Sequence, residues 1–290
     1  MKKLLFFACI ASCLITSCDK IEPPYIADNN ETDTTLCPVP SFPSFSNPQK
    51  KVLLEEFTGH KCPNCPSGAA VIHSLLENYP NKLFAVAIHA GFFATADASG
   101  DFTANYIIPE GEELATYFNV IFNPIAMINR KKFNNEFLIN PGDWNTAISN
   151  IITEQPKMYL QILSQQRAQD SSYCIHTKVN FLENMQGNFN LCVIITEDSV
   201  ASPQKTNDAV NYPSGVITDY KHQHVFRKSL SGTWGKSIAT GNVYADSSYI
   251  QTYRLILNPA WQPEHLDIIS FVYNTDTEEI IQVEKTSLIP

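Results

Sequence analysis

The chain has 290 residues, enough for two domains, and 44% of them are hydrophobic, enough to build cores. Its 20 Lys and Arg against 29 Asp and Glu give a formal net charge of −9 at pH 7. That acidity argues against nucleic acid as a partner and against electrostatic docking on anionic lipid.

The first residues read as a targeting signal. Lys2 and Lys3 supply the charge, and the apolar run from residue 4 to residue 15 is too short to span a bilayer. Ile15-Thr16-Ser17-Cys18 then matches the pattern at which bacterial lipoprotein precursors are cut and the cysteine is lipidated. Ile10-Ala11-Ser12-Cys13 matches it too, but the apolar run continues past it, so Cys18 is the preferred lipidation site and residues 1–17 the signal peptide. An ordinary secretory peptide is the competing reading. Attachment to a membrane would come from lipid, and one acyl chain alone is marginal. Past the signal, no stretch is apolar for long enough to make a transmembrane helix.

Of the eight cysteines, Cys37, Cys62, Cys65, Cys174 and Cys192 then remain unmodified, in a compartment where disulfides persist. Their number is odd, so at least one thiol stays unpaired within the chain if Cys62 and Cys65 pair together. Residues 18–49 read as a tether, with six prolines from Pro23 to Pro48 among Asn, Asp, Thr and Ser. Cys37 lies within it, either incidental or a clip to the folded body.

From residue 50 to residue 155 strands and helices alternate. Residues 51–57 form a compact apolar run closed by Thr58-Gly59. Cys62-Pro63-Asn64-Cys65-Pro66 follows, and Ala69, Ile72, His73, Leu76 and Tyr79 keep helical spacing up to Pro80. A strand over 83–89, an irregular insertion over 91–109, a helix over 110–118, a hairpin over 125–139 and a helix after Pro141 complete a β-α-β-α-β-β-α order. A cysteine at a helix start meets the positive end of the dipole, which favours its thiolate. The pair is therefore a candidate for thiol–disulfide exchange, with Cys62 the exposed nucleophile and Cys65 the resolving thiol. A structural disulfide and a zinc site compete, but CxxC supplies only two ligands and no second close pair exists.

From residue 156 to residue 290 the texture changes to about seven short strand-like runs between turns. Asn184 to Gly187 reads as a hairpin turn joining 173–182 to 189–196. With a turn there, Cys174 and Cys192 would miss each other and point to opposite faces, which disfavours a disulfide between them. Residues 197–223 form a long loop, a candidate binding element. The expected architecture is thus α/β plus all-β, a mixed sheet with flanking helices followed by an antiparallel β-sandwich.

The order of elements, with the dithiol after the first strand, resembles the thioredoxin fold over about a third of the chain. That resemblance implies that Pro124 is a cis-proline beside the dithiol and that Glu56 is the buried acid serving the second cysteine. Lys61 stands where thioredoxins usually carry Trp, and Asn123 where they carry an aliphatic residue or Thr. The alternative for Glu56 is a strand-end carboxylate reaching solvent, a role that Glu55 suits better. His60 and Lys61 would add positive or titratable groups near the thiolate. The whole layout resembles the Gram-negative outer-membrane lipoproteins related to outer membrane protein twenty-eight. The likeness rests on the Cys18 motif, the CPNCP segment, Asn123 to Arg130, Val193 to Asp198 and His222 to Arg227. It implies an outer-membrane, lipid-anchored protein, facing the periplasm or the surface, without a settled activity.

Two functions follow from different classes. One is thiol–disulfide exchange on exported proteins. The other is a non-catalytic surface protein whose β-domain binds a partner or a glycan. Neither calls for a cofactor or a metal. His222 and His224 could share a strand face but offer two ligands only, and His73 and His89 read as packed residues. A β-barrel pore is disfavoured by too few strands and by the α/β half.

Overall fold

The computed structural model describes residues 34–289. The expected signal peptide and Cys18 lie outside them. The strands in chain order are β1 (Val52–Thr58), β2 (Leu83–His89), β3 (Ile125–Ile128), β4 (Met158–Gln166), β5 (Tyr173–Phe181) and β6 (Met185–Glu197). Four two-residue strands follow, β7 (Val200–Ala201), β8 (Gln204–Lys205), β9 (Val216–Ile217) and β10 (Lys221–His222). The rest are β11 (Val225–Ser229), β12 (Lys236–Val243), β13 (Ser248–Leu255), β14 (Leu266–Asn274) and β15 (Ile280–Ser287). The α-helices are α1 (Cys65–Asn78), α2 (Pro109–Tyr117) and α3 (Trp144–Ile151). The fold is mostly β with few helices, and its main sheet is mixed.

β1 is the strand on which the candidate site is built. All seven of its residues are buried, because α1 and α3 cover one face and α2 the other. Alternation sends successive side chains to opposite faces. Val52 and Leu54 pack with Ile72 and Leu75 of α1 and with Trp144 and Ile148 of α3. Leu53 and Phe57 pack with Leu114 of α2. Glu56 therefore falls on the α1 face and Glu55 on the other.

β1 runs parallel to β2 and antiparallel to β3. The sheet continues in the order β3-β1-β2-β11-β6-β14-β15, with β12 also on β6. The separate domains expected at 50–155 and 156–290 thus share one sheet, because β11 joins β2 at Val225 and Ala87. The two outer strands approach each other, where the amide of Ile280 donates to the carbonyl of Asn129 at 2.8 Å. The curled sheet encloses a core holding Phe57, Ile194, Phe226, Phe271 and Val283. A second, three-stranded sheet, β4-β5-β13, packs on the other face of β6 and β14 around Leu160, Phe181, Leu191 and Ile268.

Several expectations are corrected here. β5 and β6 form no hairpin: β5 pairs with β4 and β13, and β6 with β11, β12 and β14. Their apolar residues face each other across a core instead of lying side by side. Cys174 and Cys192 are consequently in different sheets. Cys174 bonds Cys37, and Cys192 is a buried free thiol. The latter part of the tether is body, not linker: besides the disulfide, Phe45 stacks on Tyr159 and Gln161 donates to the carbonyl of Pro43. The expected hairpin over 125–139 reduces to single bridges, Ala126 with Ile139 and Phe133 with Glu136. β12 was not expected, since it lies on β6 with a bulge and buries only Ile238, Ala239 and Val243.

Candidate functional site

Cys62 and Cys65 form a disulfide. Cys65 is the first residue of α1, Cys62 lies in the turn ahead of it, and Pro66 occupies a first-turn position that needs no amide donor. Cys62 is 1% exposed and Cys65 3% exposed, so the expected open nucleophile is covered. Gly59 makes the turn possible. A Cβ on it would stand 2.5 Å from the backbone of Phe93, whose carbonyl accepts from the amide of Lys61.

Glu56 is 3% exposed and its Oε1 has no hydrogen-bond partner among the described residues. Burial raises its pKa to about 8, so the carboxyl is predominantly protonated at neutral pH. Gly68, in the first turn of α1, lets it approach: a Cβ there would meet Glu56 Oε1 and Pro124 Cβ, each at 2.9 Å. The Asn123–Pro124 peptide is cis. Glu56, Gly68 and Pro124 thus converge at the start of α1. Gly68 had no sequence signal beyond being a glycine in a helical pattern.

A partly open cavity of about 70 Å³ is lined by Glu56, Cys65, Ile72, His89, Tyr220 and His222. It has room for several waters. It reaches Cys65 and the carboxyl but not Cys62. His89 and His222 of its lining form an aromatic and imidazole cluster with Tyr106. The rings of His89 and Tyr106 are 4.9 Å apart, those of Tyr106 and His222 5.2 Å, and those of His89 and His222 5.5 Å. Burial lowers the pKa of His60, drives that of His89 well below the ordinary range and pushes that of His222 down to about 4. All three are neutral at pH 7, so His60 adds no positive charge for a thiolate. Lys61 is likewise engaged, its Nζ 2.8 Å from Asp97 in the insertion.

The remaining histidines are dispersed. His224 pairs with Asp198 at 3.0 Å, while His73 is exposed beside Glu77 and not packed within the helix. Among the described residues no group of three His, Cys, Asp or Glu side chains could hold a metal ion, and no helix is long and apolar enough to cross a membrane.

Glu55 does not reach solvent. It is 3% exposed and takes two hydrogen bonds from Arg130, at 2.8 and 2.7 Å. The guanidinium lies 5.3 Å from the ring centre of Phe271 and 5.4 Å from that of Tyr273. Burial opposes its charge, but Glu55 more than offsets this and the Arg130 pKa is raised. The two adjacent glutamates thus sit in opposite surroundings, Glu55 bonded to Arg130 and Glu56 neutral and facing the cavity.

The long loop over 197–223, flagged as a candidate binding element, lies across the dithiol. Gln204 Nε2 donates to the carbonyl of Cys62 at 2.9 Å, and the amide of Lys205 donates to that of His60 at 2.8 Å. The amide of Asn207 donates to the carbonyl of Pro63 at 3.1 Å, and its side chain donates to Asn64 Oδ1 at 2.5 Å. Gln204, Asn207, Tyr106 and Tyr220 had no distinguishing sequence signal, because only the tertiary fold brings them to the site.

Comparison with known proteins places the chain in a family. The model of the outer membrane protein Omp28 family matches residues 112–289, well over half of the chain. The chain belongs to the Omp28 family. The matched part begins after the dithiol, so membership carries outer-membrane association but not the chemistry of Cys62 and Cys65. Among solved structures, HBP35 of Porphyromonas gingivalis is similar at 18% identity, covering 83% of this chain and 76% of its own, with a TM-score of 0.60. Protein AGR_C_4864 of Agrobacterium tumefaciens is similar at 10% identity, covering 84% and 96%, with a TM-score of 0.52. At these identities the likeness is one of fold. No curated protein matches.

Proposed function

We propose that this Omp28-family envelope protein is lipid-anchored through Cys18 and carries out thiol–disulfide exchange on exported proteins through a thioredoxin-like unit, with the β-sandwich part as its body. The observation that carries the reading is a disulfide at the start of α1 whose inner cysteine shares a cavity with a buried, protonated carboxyl. In the oxidising direction a client thiolate attacks Cys62 Sγ. The bond between Cys62 and Cys65 breaks, and Cys65 leaves with the electron pair and takes the proton of Glu56. A second client thiolate then attacks the client sulfur of the mixed disulfide and releases Cys62. Two electrons pass to the pair, and the client gains a disulfide; the reverse sequence reduces one. On this reading the cis Asn123–Pro124 bond exposes the backbone of Asn123 to an incoming client peptide.

Insulin reduction by dithiothreitol tests this. The unmodified protein should accelerate precipitation of the insulin B chain, and Cys62→Ser should abolish the acceleration. An unchanged rate with Cys62→Ser would eliminate the reading. A second reading, non-catalytic binding of a partner or glycan by the β-rich part, is favoured by the family match lying outside the dithiol. It predicts that a Cys62→Ser, Cys65→Ser double variant of the full chain retains every interaction.

A further inference from the structure

A cysteine pair in a turn ahead of a helix is ordinarily reachable, yet here both residues are buried, and the cover comes from more than 130 positions along the chain. Gln204 and Lys205 of the covering segment are extended, and Asn207 lies in a bend. The segment's amides two residues apart, Lys205 and Asn207, donate to the carbonyls of His60 and Pro63 on either side of Cys62. The segment thus docks through its main chain on two turn carbonyls three residues apart. Gln204 completes the seal from within, 2% exposed, with Nε2 shared among the carbonyls of Cys62, Gly59 and Lys205.

Away from its bonds to the dithiol turn the segment has little strand pairing. Its own ladder is two residue pairs, Gln204 with Ile217 and Lys205 with Val216. The arc between them is largely exposed, and Val210 is 90% exposed. Segments with little buried apolar surface open locally at low free-energy cost.

We propose that residues 204–207 are a built-in occupant of the client site, so that the strap covers Cys62 at rest and an extended segment of a client protein displaces it to reach the sulfur. The carbonyls of His60, Cys62 and Pro63 freed by that displacement are then the acceptors for the client's backbone amides. This gives the exchange reading above its client class, an extended, unfolded peptide, while the covering itself can be tested independently of that reading.

The oxidised full-length protein is reduced with increasing dithiothreitol, and its thiols are counted after acid quench. One reductant thiolate attacks Cys62 Sγ and expels Cys65. The second reductant sulfur then closes the ring and releases Cys62. If opening gates access, the rate levels off at high reductant at the opening rate, and Gln204→Ala raises that plateau at least tenfold. A rate that rises strictly in proportion to reductant and equals that of the same disulfide in urea-unfolded protein would overturn the proposal, and the unmodified protein alone decides this should Gln204→Ala fail to fold. Displacement is read by amide exchange in a mixed disulfide between the Cys65→Ser protein and an unstructured peptide with one cysteine. Lys205 and Asn207 should lose protection there; continued protection would show that the strap is not the client's rival. A midpoint potential too low for exchange would remove the exchange reading yet leave the plateau in place.

Discussion

At the scale of single residues the adjacent pair Glu55 and Glu56 carries most of the chemistry. Glu56 keeps its proton up to about pH 8 in the folded chain, whereas an exposed glutamate loses it near pH 4.5. Between those values the folded state holds one proton more than the unfolded state, so stability falls as pH rises through this window. Each unit of such displacement corresponds to about 1.4 kcal/mol. Urea titrations at pH 4.5 and pH 8 should therefore show the Glu56→Gln protein losing less stability than the unmodified protein across that range. On the proposed exchange mechanism the same variant removes the proton donor assigned to Cys65 and should slow exchange by roughly 10²-fold, the usual worth of a positioned general acid. Glu55 and Arg130 behave differently. Removing one member of a fully buried ion pair leaves the other uncompensated, at a cost of about 3–5 kcal/mol. Arg130→Ala should lose that much in denaturant titration, and Arg130→Lys, which cannot reproduce the two-pronged contact, should recover only part of it.

At the scale of elements, the bond from Cys37 to Cys174 fastens the segment preceding β1 to the three-stranded sheet over a sequence separation of 137. Loss of such a link typically costs 2–5 kcal/mol, so Cys37→Ser should lower the thermal midpoint without altering the Cys62–Cys65 pair. Calorimetry beside thiol counting checks both halves. The strand and helix of the dithiol segment were legible in the sequence because their signals are local: a continuous apolar run for β1, and a proline start and 3.6-residue spacing for α1. The relation of β5 to β6 was not. Two alternating strands separated by a short turn read alike whether they lie side by side or face each other across a core. Nor was the fate of the proline-rich segment, whose composition reads as linker while single groups, Cys37, Phe45 and the Pro43 carbonyl, fix it to the body. The strap was visible only as a long loop, since nothing in its residues announces a partner more than 130 positions away.

At the scale of the whole molecule, one curled sheet joins the strand that carries Glu56 to the β-rich part matched by the family. A chain cut at residue 156 would expose the edges of β2 and β11 and strip Phe226, Phe271 and Ile194 of their packing partners. The 156–290 fragment should accordingly be insoluble or bind a hydrophobic dye, and a monodisperse fragment with native-like exchange protection would contradict the shared core. The strap leaves from β6 and returns to β11, in the same sheet as β1, so the same continuity brings it to the dithiol and its carboxyl. Exchange requires that Cys62 and Cys65 cycle between disulfide and dithiol. The most direct measurement is their midpoint potential, from equilibration of the full-length protein with glutathione followed by trapping of free thiols. The account predicts a reversible couple between about −120 and −270 mV, the range of working oxidoreductases. A pair that remains oxidised below about −300 mV would be a structural staple, and the exchange function would be wrong.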